Sequence, residues 1–382
     1  MLPFEFNSTK SIVMERGSAA RLAHRLQGMG FQSVLVVTDP GVLAAGLLAA
    51  TLNGFDAIGL RYALFADVQA DPPESVIEAV AAAARRGVDC VVGFGGGSSM
   101  DAAKLAALLA ASDQPLSQAY GVNQARGPRL PLVLIPTTAG TGSEVTPISI
   151  VTTGVGEKKG VVSPLLLPDL ALLDAELTTG LPQHVTAATG IDAMVHAIEA
   201  YTSKRLKNPV SDCLAREALR LLSANIHTAC RDPLDLDARE KMLLGACLAG
   251  MAFANAPVAA VHALAYPIGA RFHVPHGLSN SLVLAAVFDF NLALAQEEYA
   301  ELADIVRPRV QGSTAAKAAA LSQYLRALPD ELSLPTRLRD VGIAESDIAE
   351  LAEDAMKQTR LLVNNPREVR YQDAVALYME AL

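Results

Sequence analysis

The feature that most constrains the fold is a change of sequence pattern near Leu181 and Pro182. Before this point, short runs of β-branched residues alternate with Ala- and Leu-rich segments of helical period, which predicts parallel strands joined by crossover helices. After it, apolar residues recur three or four positions apart, which predicts a mostly helical region. We therefore expect an α/β domain over residues 1–181 and an all-α domain over residues 182–382.

Near-continuous apolar runs in the first half predict strands that are covered on both faces of a sheet. The clearest runs are residues 33–39, 89–95 and 131–136, and shorter strands are predicted around residues 57–61, 149–152 and 171–174.

The charge of the chain limits its partners. The sequence has 31 basic and 40 acidic residues, a net charge of −9, so it offers no basic surface to neutralise many phosphates. We expect no nucleic-acid partner.

Cysteine usage and hydropathy indicate the compartment. Four widely spaced cysteines form no C-x-x-C pair, and the N-terminal residues lack the basic and apolar regions of a secretory signal. The most apolar stretch, residues 281–295, is interrupted by Asp289 and Asn291. These features predict a cytoplasmic protein with no membrane partner.

A glycine-rich loop follows one predicted strand and opens a helix. Residues 93–104 read GFGGGSSMDAAK, so backbone N–H groups and the positive end of a helix converge where an anion can bind. This pattern predicts a phosphate cradle, although a tight strand-to-helix turn would use the same residues. It differs from the Rossmann G-x-G-x-x-G, because the acidic residue, Asp39, ends an earlier strand. Asp39 either binds an adenosine ribose, which favours NAD over NADP, or simply forms a turn before Pro40.

A second polar loop, PTTAGTGSE at residues 136–144, also follows a predicted strand. Ligands of open α/β sheets collect beyond the carboxyl ends of strands, so two such loops favour a dinucleotide. An ordinary Gly/Thr turn is the alternative.

Three histidines and an aspartate are spaced like metal ligands. Asp192 and His196 are four residues apart on a predicted helix and project from one face, whereas His262 and His276 come from a later helix and turn. Three imidazoles and one carboxylate suit Fe²⁺ or Zn²⁺ better than Mg²⁺ or Ca²⁺. The alternatives are a surface ion pair and a turn histidine.

Taken together, these motifs resemble the iron-containing, group III alcohol dehydrogenases over nearly the whole chain. The resemblance rests on residues 95–104, 136–144, 188–201, 262–277 and 364–368. It implies a dehydroquinate synthase-like fold, an active site in a cleft between the two domains, and a homodimer. The activity that it implies is hydride transfer between NAD(H) and a small alcohol or the corresponding aldehyde or ketone.

The same resemblance assigns roles to individual residues. Asp192, His196, His262 and His276 match the metal ligands, and Asp39 matches the position associated with NAD preference. The remaining coenzyme positions are Gly95, Gly96, Gly97, Ser98, Asp101, Thr137, Thr138, Thr141 and Lys158. Many family members carry a further histidine where this chain has Tyr266, so we expect Tyr266 or His273 to relay a proton.

Other activities of the same architecture remain alternatives. Glycerol dehydrogenase, maleylacetate reductase, a hydroxyacid-oxoacid transhydrogenase and a dehydroquinate synthase-like lyase share it, and a non-catalytic NAD-binding protein is an alternative of another class. A complete set of metal ligands argues against a protein that only binds NAD without catalysing a reaction.

Overall fold

The computed structural model describes residues 3–154 and 157–382, so Met1 and Leu2 of the N-terminal segment lie outside the described residues. The described chain forms two compact units. One is Asn7–Gly180, and the other is Leu181–Leu382 with the N-terminal segment that ends at Phe6.

The first unit is built on a six-stranded parallel sheet with the order β1-β9-β6-β4-β2-β3. Its strands are β1 (Ile12–Met14), β2 (Ser33–Val37), β3 (Arg61–Phe65), β4 (Cys90–Gly95), β6 (Leu132–Pro136) and β9 (Leu170–Leu173). Its helices are α1 (Leu22–Gly28), α2 (Pro40–Ala44), α3 (Ala49–Ile58), α4 (Glu74–Ala84) and α5 (Gly97–Ala111). The predicted parallel sheet is confirmed.

Both faces of this sheet are buried, which explains the continuous apolar runs. Successive residues of a strand point to opposite faces. Leu35 and Val37 accordingly belong to one buried cluster, whereas Val34 and Val36 belong to the other.

A separate three-stranded sheet departs from the expected parallel pattern. It has the order β5-β8-β7, with β5 (Gly121–Val122), β7 (Ile148–Thr153) and β8 (Glu157–Val162), and β7 pairs with β8 antiparallel.

The strand predicted at residues 57–61 is wrong in position. Helix α3 continues to Ile58 and ends at Gly59, whose φ of 70° is left-handed, and β3 begins only at Arg61.

The second unit is helical, as predicted. Its helices are α6 (Gln183–Thr202), α7 (Pro209–Arg231), α8 (Leu236–Asn255), α9 (Ala260–Phe272), α10 (His276–Val306), α11 (Thr314–Glu331), α12 (Ile348–Met356), α13 (Thr359–Leu362) and α14 (Tyr371–Ala381). Helix α10 is long and apolar enough to cross a membrane by length and composition alone, as is the bent pair of α8 and α9. Most of the apolar window of α10 is buried inside the protein, so this resemblance to a membrane span is weak.

Candidate active site

Three helices of the second unit bring the predicted metal ligands together. Asp192 and His196 lie one turn apart on α6, His262 lies on α9, and His276 is the first residue of α10. One donor atom from each of these four residues lies within 4.8 Å of all the others.

The spacing and burial of these donors fit a transition-metal ion. The Asp192 Oδ1 atom is 3.5 Å from His276 Nε2, 3.8 Å from His262 Nε2 and 3.9 Å from His196 Nε2. Tetrahedral ligands at about 2.1 Å from one ion lie roughly 3.4 Å apart. The side chains of Asp192, His196 and His262 are buried, whereas that of His276 is 32% exposed. One partly open ligand is compatible with access for a small molecule.

The electrostatics favour an anionic aspartate in this site. Burial raises the pKa of Asp192, but the neighbouring imidazoles and a hydrogen bond from Asn280 outweigh burial and lower that pKa overall. The carboxylate therefore supplies the one negative charge among the four donors.

Asn280 is a polar residue of this site that the sequence analysis missed. Its Nδ2 atom donates to Asp192 Oδ1 at 2.6 Å and lies 3.2 Å from His262 Nε2 and 3.3 Å from His276 Nε2. The spacing of four residues from His276 on one helix was the available signal.

Gly277 explains how α10 approaches α6 so closely. A Cβ atom at Gly277 would lie 2.4 Å from the backbone oxygen of Ala188 and 3.3 Å from the Cβ of Asp192. Only glycine fits between the two helices here, and this contact brings His276 to Asp192.

Aromatic rings line the donor set. Phe253 stacks on His196 with a centroid separation of 4.2 Å, and His196 stacks on His262 at 4.7 Å. The Tyr266 ring lies 6.5 Å from the His262 ring and 5.9 Å from the His276 ring. The structure thus places one of the two expected relay residues beside the donors.

His273, the other expected relay residue, is exposed at the end of α9. Its φ is 55°, and its backbone N–H donates to the Gly269 carbonyl, so it terminates the helix. These contacts describe a capping residue, and its role in proton transfer stays a prediction.

In the first unit, the glycine loop and Asp39 lie at adjacent strand ends. Strand β4 pairs with β2 on one side and with β6 on the other, so the segments that follow these strands meet at one edge of the sheet. Asp39 Oδ1 accepts from the backbone N–H of Val42 and Oδ2 accepts from Ser99 Oγ, both at 3.0 Å. Asp39 therefore caps α2 and also contacts the glycine loop, and its binding of an adenosine ribose stays a prediction.

The glycine loop borders a cavity of about 470 Å³ and has no room for a side chain at Gly95. A Cβ at Gly95, whose φ is 151°, would lie 2.8 Å from Ser99 and 2.9 Å from Asp39. The residues around the cavity are Asp39, Pro40, Val68, Gln69, Ala70, Gly96, Gly97, Ser98 and Ser99. Since α5 begins at Gly97, its free backbone N–H groups suit a pyrophosphate at this place.

The second predicted loop packs directly on the first. The backbone N–H of Thr137 donates to the Gly95 carbonyl at 3.0 Å, and a Cβ at Gly97 would lie 3.0 Å from Thr141. Thr138 lies 4.0 Å from the corresponding point at Gly96. The structure brings these predicted coenzyme residues together.

Asp101 and Lys104 stabilise these loops through internal hydrogen bonds. Asp101 accepts from Ser143 Oγ at 2.6 Å and from the Ile150 N–H at 2.8 Å, so both of its oxygens serve internal contacts. Lys104, which was not singled out as a site residue, is fully buried and donates to Ser143 Oγ and the Ile148 carbonyl at 2.7 Å. Binding of the coenzyme by Asp101 stays a prediction.

Lys158 reaches the glycine loop through one intermediate residue. Its Nζ atom pairs with Asp71 Oδ1 at 2.8 Å, and the Asp71 backbone N–H donates to Ser98 Oγ at 3.2 Å. Direct contact between Lys158 and a coenzyme stays a prediction.

Comparisons with known proteins cover both units. The family model described as iron-containing alcohol dehydrogenase matches residues 9–175, and that described as the Fe-containing alcohol dehydrogenase family, C-terminal, matches residues 186–382. A sulfoacetaldehyde reductase of Bilophila wadsworthia is 36% identical over 98% of each chain. A long-chain-alcohol dehydrogenase of Geobacillus thermodenitrificans is 38% identical over 96% of this chain and 93% of its own.

Solved structures agree with these matches. A 1,3-propanediol oxidoreductase superposes with a TM-score of 0.95 at 34% identity and full coverage of both chains. The sulfoacetaldehyde reductase of Bifidobacterium kashiwanohense in complex with NAD⁺ has a TM-score of 0.89 at 28% identity, with coverage of 100% of this chain and 99% of its own.

Proposed function

Because this chain belongs to the iron-containing alcohol dehydrogenase family, we propose that it interconverts a small alcohol and its carbonyl compound with NAD(H) at its Asp/His₃ site. It is a metal-dependent oxidoreductase. The observation that carries this proposal is the buried convergence of Asp192, His196, His262 and His276 on three helices.

The metal and the coenzyme are assigned to two different sets of residues. A bound Fe²⁺ or Zn²⁺ supplies Lewis acidity toward a substrate oxygen, and NAD supplies the hydride acceptor. Asp192 and the three imidazoles hold the ion, while the glycine loop and the Thr137 loop hold the dinucleotide. Phe253, stacked on His196, gives the donor set an apolar neighbour that suits a short aliphatic chain.

The coenzyme proposal rests on Asp39. Asp39 lines the glycine-loop cavity, and its carboxylate would repel an additional 2′-phosphate, so we propose NAD in preference to NADP. The measurement is kcat/KM with each coenzyme, and a ratio that favours NADP would contradict the assignment.

The metal proposal is iron, with zinc as the alternative that the same donors fit. Elemental analysis of protein purified without oxygen, together with an absorbance screen of alcohols and aldehydes, tests both metal and substrate. Net NADH formation with a primary alcohol supports the dehydrogenase, whereas coenzyme cycling without net NADH would indicate the lyase. His262→Ala should lose metal and turnover and retain NAD affinity, which separates catalysis from binding.

The proton relay is assigned to Tyr266 because its ring borders those of His262 and His276. An unperturbed tyrosine, with a pKa of about 10, is a poor base, so its hydroxyl would pass a proton through water or the coenzyme ribose. The pH profiles of Tyr266→Phe and His273→Ala measure this role. Unchanged profiles in both variants would remove both residues from the mechanism.

We also propose a cytoplasmic homodimer. Cys90, Cys230 and Cys247 are buried thiols and Cys213 is an exposed one, which suits a reducing compartment. The dimer is inferred from family membership, and light scattering should give about 80 kDa, twice the mass of the 40.0 kDa chain.

A further inference from the structure

We propose that Glu199 is a positioning residue that holds His262 in the tautomer and orientation required for metal binding. This inference rests on the proposed function, because it assumes that the Asp/His₃ donors bind an ion. It concerns a residue that lies outside the donor set itself.

The Glu199 carboxylate is buried and receives three hydrogen-bond donors. Its Oε2 atom lies 2.7 Å from His262 Nδ1 and accepts from the backbone N–H of Ala259 at 2.9 Å. Its Oε1 atom accepts from the backbone N–H of Val261 at 2.7 Å. Both oxygens are therefore committed to one short segment of chain around His262.

These contacts fix which ring nitrogen carries the hydrogen. A carboxylate only accepts hydrogen bonds, so the close contact requires a hydrogen on Nδ1 of His262. In the neutral ring Nε2 then presents its lone pair, and Nε2 is the atom that lies 3.8 Å from Asp192 Oδ1. The tautomer that Glu199 selects is thus the one that can bind an ion among the four donors.

The same carboxylate also places the helix that carries His262. Helix α9 begins at Ala260, and its preceding residue, Ala259, has no side chain that could cap it. Glu199 provides the missing acceptors from α6. Helix position and ring orientation are therefore set by one group.

One face of α6 supplies two of the four donors and the carboxylate that supports a third. Glu199 lies three residues after His196 and seven after Asp192, which places the three side chains on one side of the helix. This face contributes two donors directly and the support of a third.

The test measures metal binding in the full-length protein without turnover. We would titrate Zn²⁺ alone against a competing chelator in the wild type, Glu199→Gln, Glu199→Asp and the control Glu301→Gln. The control removes a carboxylate of the same unit that accepts from the Tyr201 hydroxyl. We expect Glu199→Gln to weaken Zn²⁺ binding about 10- to 100-fold, Glu199→Asp to weaken it less, and the control to leave it unchanged.

A second measurement reads the tautomer in the metal-free protein. Long-range ¹H–¹⁵N spectra at pH 8 should show the hydrogen of His262 on Nδ1 in the wild type. In Glu199→Gln we expect it to move toward Nε2, because a glutamine amide presents both a donor and an acceptor.

The outcomes separate this inference from the proposed function. A wild type that binds no Zn²⁺ would contradict the metal site itself. If the wild type and Glu199→Gln bind Zn²⁺ equally well, only the role of Glu199 is overturned. An Nε2-protonated His262 in the wild type would overturn it even if the glutamine variant failed to fold. A purely structural role would lower the melting temperature of the variants without changing their Zn²⁺ affinity once folded.

Discussion

Glu144 should make the stability of the α/β unit depend on pH. This residue lies in the second polar loop and is buried, with a side chain close to the charge of Lys104. Burial raises the pKa of its carboxyl from the ordinary 4.5 to about 7. A hydrogen bond from the backbone of Glu144 itself and the charge of Lys104 act in the opposite direction and offset only part of the rise.

The sign follows from proton binding. Between pH 4.5 and about 7 the unfolded chain releases a proton that the folded chain retains, so the free energy of unfolding falls as the pH rises through this window. The difference between the two pKa values, about 2.5, corresponds to about 3 kcal/mol over the whole window. From about pH 5.5, just above the pI near 5.3, to pH 8 the expected loss is about 2 kcal/mol.

The measurement compares wild type with Glu144→Gln, which is close in volume and does not titrate. Urea unfolding followed by circular dichroism is suitable, since the chain has no tryptophan. The wild type should lose about 2 kcal/mol relative to the variant as the pH rises, whereas Glu157→Gln, an exposed control, should follow the wild type. A difference between wild type and Glu144→Gln that does not change with pH would refute the reasoning.

Three further predictions concern packing, internal bracing and metal. Gly277→Ala should lower the free energy of unfolding by about 1–3 kcal/mol and weaken Zn²⁺ binding, because the new Cβ meets the Ala188 carbonyl. Lys104→Met should cost roughly 3 kcal/mol in denaturant unfolding and weaken NAD binding, because the Ile148 carbonyl and Ser143 hydroxyl lose their buried donor. Zn²⁺ at about 100 times its Kd should stabilise the metal-free protein by about 2.7 kcal/mol in thermal unfolding, and His262→Ala should abolish this gain.

Each of these predictions has a matched control. Gly28 lies in a helix with open space around it, so Gly28→Ala should not lower the free energy of unfolding. An equal loss of unfolding free energy in Gly277→Ala and Gly28→Ala would contradict the packing argument. Lys159→Met removes an exposed lysine and should cost little, so a similar cost for Lys104→Met would contradict its bracing role. If Zn²⁺ still stabilises His262→Ala against thermal unfolding, the ion binds at another site.

The central strands could be predicted from the sequence because strands that are buried on both faces consist almost entirely of apolar residues. Strands β2, β4 and β6 are covered on both faces, and each reads as a continuous run. Strand β8, with the sequence EKKGVV, was missed because its exposed, charged residues carry no such signal. The start of β3 was misplaced, because α3 continues to Ile58 and the left-handed turn at Gly59 separates helix from strand within two residues.

The site could be predicted as far as residue type and helical spacing allow. The i, i+4 pair of Asp192 and His196 identifies one helix face. His262 and His276 were candidates by residue type, and the family resemblance matched all four residues to metal ligands. Glu199 and Asn280 were not found, because their importance depends on which atoms of α9 and α10 they contact. Both nevertheless lie three or four residues from a predicted donor, so helical neighbours of ligands are worth inspecting in similar chains.

Asp39 links the choice of coenzyme to the integrity of the loop that receives it. A smaller, uncharged residue at this position would open space for a phosphorylated ribose. It would also remove the acceptor for Val42 and Ser99, at a cost of about 1 kcal/mol for the helix cap alone. Redesign toward NADP would therefore need a second substitution that gives the Ser99 hydroxyl a new hydrogen-bond acceptor. A single replacement of Asp39 should change coenzyme selectivity and at the same time make the phosphate-binding turn less ordered.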